Sequence, residues 1–172
     1  MNDSQNTIFL ISGPLGVGKS TTSKLLAQKI QSCVRIEGDI FLHMVRDDLH
    51  LDWEQRLRLA WDNLLALTRN FVRRGLNVVI DLVVEDELNW FCEGVSDLDA
   101  KVNYAVLTAD RETIVKRLTQ RGDIDSLDRS LFLLDKLGNA PENGRFIIDT
   151  TSKLPEETAD LLLTNADFFR VC

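Results

Sequence analysis

Positive charge, cysteine, proline and unbroken apolar stretches are all in short supply in this sequence of 172 residues, and each shortage excludes something. Lys and Arg number 20 against 27 Asp and Glu, a formal charge of −7, which excludes a protein that coats nucleic acid through bulk charge. A local basic pocket is not excluded, because net charge governs solubility and long-range steering rather than one site. The three cysteines, Cys33, Cys92 and Cys172, are odd in number and scattered, with no CxxC or His-paired spacing. They are therefore expected to be reduced, structural thiols without a disulfide frame or a zinc site. Apolar residues nowhere run far enough to span a bilayer, and the opening MNDSQNT has neither a basic n-region nor a long apolar h-region. A cytoplasmic chain with no membrane partner is the expectation. With only three prolines and no visible repeat or linker, residues 1–172 read as one domain around one core.

What is present is an ordinary globular balance, 44% hydrophobic and 27% charged, which makes disorder or a coiled coil a poor description. The order of the apolar runs carries more information. Residues 8–11 are a short continuous apolar run followed by Gly and Pro, the pattern of a strand buried on both faces of a parallel sheet. Residues 19–30 then show helical spacing, and further strand patterns stand at 33–36, 77–84, 102–107 and 145–149. Between them, 41–49 reads as a short helix or helical turn, and 52–74 as a long helix stopped by Gly75. Residues 111–120, 127–137 and 155–163 also read as helices. Such βα alternation predicts a parallel sheet with helices on both faces, and ligands at the carboxyl ends of the strands.

Between the first strand and the first helix stands GPLGVGKS, residues 13–20, which matches GxxxxGK[ST] at every fixed position and in the structural context the motif requires. Its glycines let consecutive backbone amides converge on phosphate oxygens at a helix N-terminus. The expected phosphate-binding set is Gly13, Pro14, Leu15, Gly16, Val17, Gly18, Lys19 and Ser20. Lys19 should reach the β- and γ-phosphates, and the Ser20 hydroxyl should ligate Mg²⁺. Thr21 stands next in the first helical turn, where it suits either an approach to the α-phosphate or ordinary capping.

With that loop in place the chain resembles the P-loop kinases, the group holding nucleoside monophosphate kinases, shikimate and gluconate kinases and chloramphenicol phosphotransferase. The segments EGD at 37–39, VVID at 78–81 and RLTQRGD at 117–123 are similar to that family's substrate carboxylate, Mg²⁺-binding strand and lid. The resemblance implies a three-layer α/β fold with a five-stranded parallel sheet in the order 2-3-1-4-5, and a short lid near 121–143. It also implies ATP and Mg²⁺ as cofactors, a small-molecule acceptor and a monomer or homodimer.

Each implied role has a physical basis. Asp39, at the end of the second strand, can accept the acceptor's hydroxyl proton, although an aspartate there also suits a helix N-cap. Asp81 lies inside a Val-rich run, where an unpartnered carboxylate is costly; Mg²⁺ held with Ser20 supplies a partner, as would a bond to backbone or to Ser20 itself. Leu82 stands where many hydrolytic ATPases place a glutamate, which favours transfer to an organic acceptor over hydrolysis. No NKxD-type guanine motif is present. Arg117 and Arg121 share a helix face and, as lid arginines, would neutralise the transferring phosphoryl group, with Arg121 also contributing to the nucleotide site and Arg129 a further candidate. His43, Met44, Arg46, Trp53 and Trp61 fall where the acceptor enters this fold, and Asp149, Thr150 and Thr151 where the adenine edge passes. A nucleotide or nucleoside kinase, and a regulatory nucleotide-binding ATPase without an acceptor, are the alternative readings.

Overall fold

The computed structural model describes residues 5–172, the side chain of Asp47 excepted. Its sheet is built from β1 (Asn6–Ser12), β2 (Cys33–Glu37), β3 (Asn77–Asp81), β4 (Ala100–Thr108) and β5 (Ile147–Asp149). All pairings are parallel and the order is β2-β3-β1-β4-β5, as the resemblance implies. The register sets Ile8 beside both Val78 and Val102. Successive strand residues point to opposite faces, so the unbroken burial of Ile8, Phe9, Leu10, Ile11 and Ser12 means that both faces of β1 are covered.

The covering helices are α1 (Lys19–Lys29), α2 (Asp39–Met44), α3 (Trp53–Val72), α4 (Leu88–Val95), α5 (Arg111–Arg121), α6 (Leu127–Asn139) and α7 (Pro155–Thr164). In α3 the carboxylate of Asp52 accepts from the Gln55 amide at 2.8 Å while the Gln55 side chain accepts from the Asp52 amide at 3.1 Å, a reciprocal N-terminal cap. Its buried residues Ala60, Trp61, Leu64, Thr68 and Val72 form one helical stripe. At the start of α5 Asp110 accepts from the Thr113 amide at 2.7 Å, and Gly122, at φ 72°, ends it in the left-handed conformation.

The structure departs from the sequence reading in several places. The strand expected over 77–84 ends at Asp81; Leu82, which lines a cleft, still donates its amide to Ile11 O (3.2 Å) and Val84 its own to Ser12 Oγ (2.9 Å), and the chain bends only at 85–86. The strand expected over 145–149 is only Ile147–Asp149, its first part being taken by a 3₁₀ helix over Pro141–Phe146. Helix α4 has no counterpart in the sequence reading. The expectation of unpaired cysteines is also corrected, since Cys92 and Cys172 form a disulfide across 80 residues of chain, leaving Cys33 as the free thiol among the described residues. β5 pairs only with the last residues of β4, so the earlier part of that edge is open, and the C-terminal segment covers it. Tyr104 donates its amide to Phe169 (2.9 Å), Val102 its own to Cys172 (3.0 Å), and Arg170 bridges Asn103 in antiparallel fashion.

Candidate active site

The phosphate loop leaves the carboxyl end of β1 with positive φ at Gly13 (139°), Gly16 (77°) and Gly18 (106°). At Gly13 a side chain is barred twice over, because a Cβ there would lie 2.3 Å from the Leu107 carbonyl oxygen. The loop's carbonyls are held by side chains drawn from three helices and the turn after β5. Lys19 Nζ donates to Gly13 O (2.8 Å) and Pro14 O (3.0 Å), and the Ser130 hydroxyl of α6 donates to Leu15 O (2.7 Å). Val17 O accepts from Arg117 Nη1 (3.1 Å) and from Thr150 Oγ1 (3.2 Å). With these oxygens committed to donors, the backbone groups the loop can turn toward an anion are its amides.

Lys19 is only 8% exposed, and burial pushes its pKa down to about 8. The carboxylates of Asp39 and Asp81 pull it back up, while the charge of Arg121 adds to the depression. Asp39 is the first residue of α2, and the N-cap position is Gly38, so Asp39 is not the helix N-cap. Its pKa is raised, first by loss of solvent in the cleft and also by the charge of Asp81, against the attraction of Lys19.

Asp81, 3% exposed at the end of β3, has one carboxylate oxygen on each of two tasks. Oδ1 accepts from Ser20 Oγ at 3.1 Å. Oδ2 accepts from Ser23 Oγ and from Arg35, whose Nη2 stands 3.0 Å away and Nε 3.2 Å. Arg35 Nε also reaches Ser23 Oγ at 2.7 Å, and its Nη1 pairs with Glu37. Ser20 and Asp81 Oδ1 together offer the hard oxygen donors that a divalent cation takes alongside water and phosphate. Among the described residues no cluster of three or more His, Cys, Asp or Glu has metal-binding geometry, so such a cation would depend on ligands beyond the protein.

Two clefts open on either side of the loop. One, about 380 Å³, is lined by Gly16, Thr21, Arg117, Arg121 and Thr150. Arg117 is committed there, because besides Val17 its Nη2 donates to the Thr150 carbonyl at 3.1 Å and so ties the β5 turn to the loop. The exposed Arg121 stands one helical turn further on. The other cleft, about 720 Å³, contains Asp39, His43, Trp53, Glu85 and Arg129 above a floor that includes Leu82. Of the remaining residues singled out in the acceptor region, Trp61 is core at 2% exposure and Arg46 pairs with Asp48 on the surface. Segment 121–143 is mostly α6, packed inward through Ser130, Leu133 and Leu137.

The structure thus brings Lys19, Ser20, Asp39 and Asp81 together at the strand ends, with Arg117 and Arg121 across the first cleft. Sequence reasoning missed Arg35, Ser23 and Ser130. Ser23 carried the one available signal, since it lies one helical turn after Ser20 and therefore on the same face of α1. Arg35 and Ser130 had none, because their partners lie 46 and 115 residues away.

A family model described as an AAA domain matches residues 8–135, most of the chain. A relative from Thermococcus gammatolerans bearing the name "Putative adenylate kinase" is 31% identical, over 91% of this chain and 83% of its own. Among solved structures, the Deinococcus radiodurans tunicamycin resistance protein superposes with a TM-score of 0.71 at 17% identity, covering 97% of this chain and 99% of that one. A sugar kinase from Janibacter sp. HTCC2649 superposes at 0.67 with 18% identity, covering 96% of both chains. A gluconokinase from Sinorhizobium meliloti 1021 does so at 0.61 with 16% identity, over 95% of this chain and 97% of that one. At these identities the solved structures speak to fold. Together with the phosphate loop and the 2-3-1-4-5 sheet, the sequence matches place this chain in the AAA domain family, among the P-loop kinases.

Proposed function

We propose that this protein is an ATP- and Mg²⁺-dependent phosphotransferase that moves the γ-phosphoryl group to a hydroxyl of a small molecule. The observation that carries the reading is Lys19, buried, bonded to two carbonyls of its own loop and electrostatically coupled to Asp39 on the acceptor side. The set Gly13, Pro14, Leu15, Gly16, Val17, Gly18, Lys19, Ser20 and Thr21 would hold the nucleotide, with Arg121 at its edge. Ser20 and Asp81 would hold the metal ion, which when bound supplies charge neutralisation between the phosphates. Asp39 orients the acceptor hydroxyl and takes its proton; Arg121 answers the charge of the transferring group, and Arg117 keeps the loop and the β5 turn in register with it. A lid over about 121–143 would close on the bound substrates. The reading assigns a cytoplasmic setting, a small-molecule partner and a monomer or homodimer. A nucleotide kinase is the second reading, favoured by the name of the Thermococcus gammatolerans relative.

Release of ADP across an acceptor library, with Lys19→Ala as the blank, tests the proposal. Asp39→Asn should lower transfer by roughly 10²–10⁴ while ATP affinity stays within about twofold, because a general base acts on the acceptor and not on the triphosphate. Transfer by Asp39→Asn at the wild-type rate would overturn the base assignment. Turnover indifferent to every acceptor would instead favour a regulatory ATPase.

A further inference from the structure

The larger cleft beside Asp39 distinguishes between chemical classes of acceptor. Its walls include Leu15, Leu42, Leu57, Val83 and Leu133, and Trp53 stands among them with 56% of its surface exposed. An exposed indole over an aliphatic floor is a platform for a ring or chain rather than for a charged group. Four carboxylates (Asp39, Glu85, Glu87 and Asp123) and two guanidiniums (Arg56 and Arg129) also line it, so with His43 neutral the lining carries 2 − 4 = −2.

The two guanidiniums that would greet an acidic acceptor are engaged elsewhere. Arg129 donates to Glu85, which also accepts from Lys136 Nζ at 3.0 Å, and the Glu85 side chain is only 16% exposed. Arg56 donates to the Leu51 carbonyl (3.2 Å) and the Val45 carbonyl (3.1 Å). Recruiting Arg129 to an anion would take from the sheltered Glu85 one of its two cations and leave it Lys136 alone, inside a lining that is already negative.

We infer that the acceptor is an alcohol without an acidic group, whose apolar ring or chain lies on Trp53 and the leucine floor. The inference rests on the phosphotransfer reading above and narrows it against sugar acids and nucleoside monophosphates. In the step, the acceptor oxygen forms a bond to the γ-phosphorus and the bond from that phosphorus to the β,γ-bridging oxygen breaks. Its electron pair leaves on the nucleoside diphosphate, and the hydroxyl proton passes to the Asp39 carboxylate.

Matched pairs of acceptors test this, such as adenosine against AMP and a phenyl glucoside against the corresponding glucuronide. Two readouts are needed: ADP release with Lys19→Ala as blank, and calorimetric binding in the presence of a non-hydrolysable triphosphate analogue. The uncharged member should lead by tenfold or more in kcat/KM and in affinity. Glu85→Gln, which loosens Arg129 and Lys136, should narrow that ratio by lowering KM for the acidic member. Preference for the acidic members in the wild type overturns the inference and leaves the kinase reading standing. Binding with the expected preference but no turnover overturns the kinase reading and keeps the specificity of the cleft. Neither binding nor turnover with any pair overturns both.

Discussion

Lys19 keeps an ammonium where burial opposes its charge, and its pKa of about 8 turns that tension into a pH dependence. Below pH 8 the side chain is charged and attracts phosphate; as the pH rises past 8 the free protein loses that proton, and the attraction fades. The nucleotide Kd, measured by calorimetry, should therefore rise several-fold between about pH 7.5 and 9.5, and a flat profile would contradict the role given to Lys19. Stability runs the other way. The folded pKa lies below the ordinary lysine value of about 10.4, so between pH 8 and that value the unfolded chain binds more protons and the contribution of Lys19 to stability grows with pH. Asp39 shows the opposite displacement, since its raised pKa means that the free carboxylate becomes a competent base only above the usual carboxylate range. Lys19, Ser20, Asp39 and Asp81 were all legible in the sequence, because each belongs to a short motif at a strand end. The Arg35 guanidinium on Asp81 was not, because it is delivered by the pairing of β2 with β3.

Elements meet the site through close backbone approaches, and these are where glycine is required. Gly13→Ala should cost more than about 2 kcal/mol, read as a lower urea midpoint with weakened nucleotide binding, because φ 139° and a Cβ at 2.3 Å from Leu107 O cannot both be relieved by one side-chain shift. Unchanged stability would mean that the β4 end is free to move, contrary to its pairing with β1 through Ser12 and Val106. A second close approach lies in the helix that the sequence reading did not include. Gly94, in α4, makes room for α3, since a Cβ there would lie 2.5 Å from Leu65 Cδ2. Most other elements were readable from the period of their apolar residues, with ends displaced by a few positions where 3₁₀ turns replace a strand or helix terminus.

At the scale of the whole molecule, the Cys92–Cys172 bond ties α4 to the C-terminal segment that covers the open edge of β4. Closing 80 residues of chain removes up to about 4.5 kcal/mol of unfolded-state entropy, and at roughly 2–4 °C per kcal/mol for a chain of this size reduction should lower the melting temperature by up to about 9–18 °C. A thermal melt with and without reductant, and of Cys92→Ser, checks this; coincident curves would show that the segment is held by its backbone bonds alone. The −7 charge overall sits alongside a loop that concentrates positive potential from amides and Lys19.

The sequence by itself determined the phosphate loop, the alternation of strands and helices, and the identity of the residues that gather at the strand ends, because those features depend on neighbours within one turn or one strand. The tertiary structure alone decided which charges are neutralised and by what. Arg35 reaches Asp81 across 46 residues, Arg129 reaches Glu85 across 44, and Cys92 reaches Cys172 across 80. A charge or thiol announces itself in sequence, but its partner is chosen by the path of the chain, and with it the kind of molecule the cleft accepts.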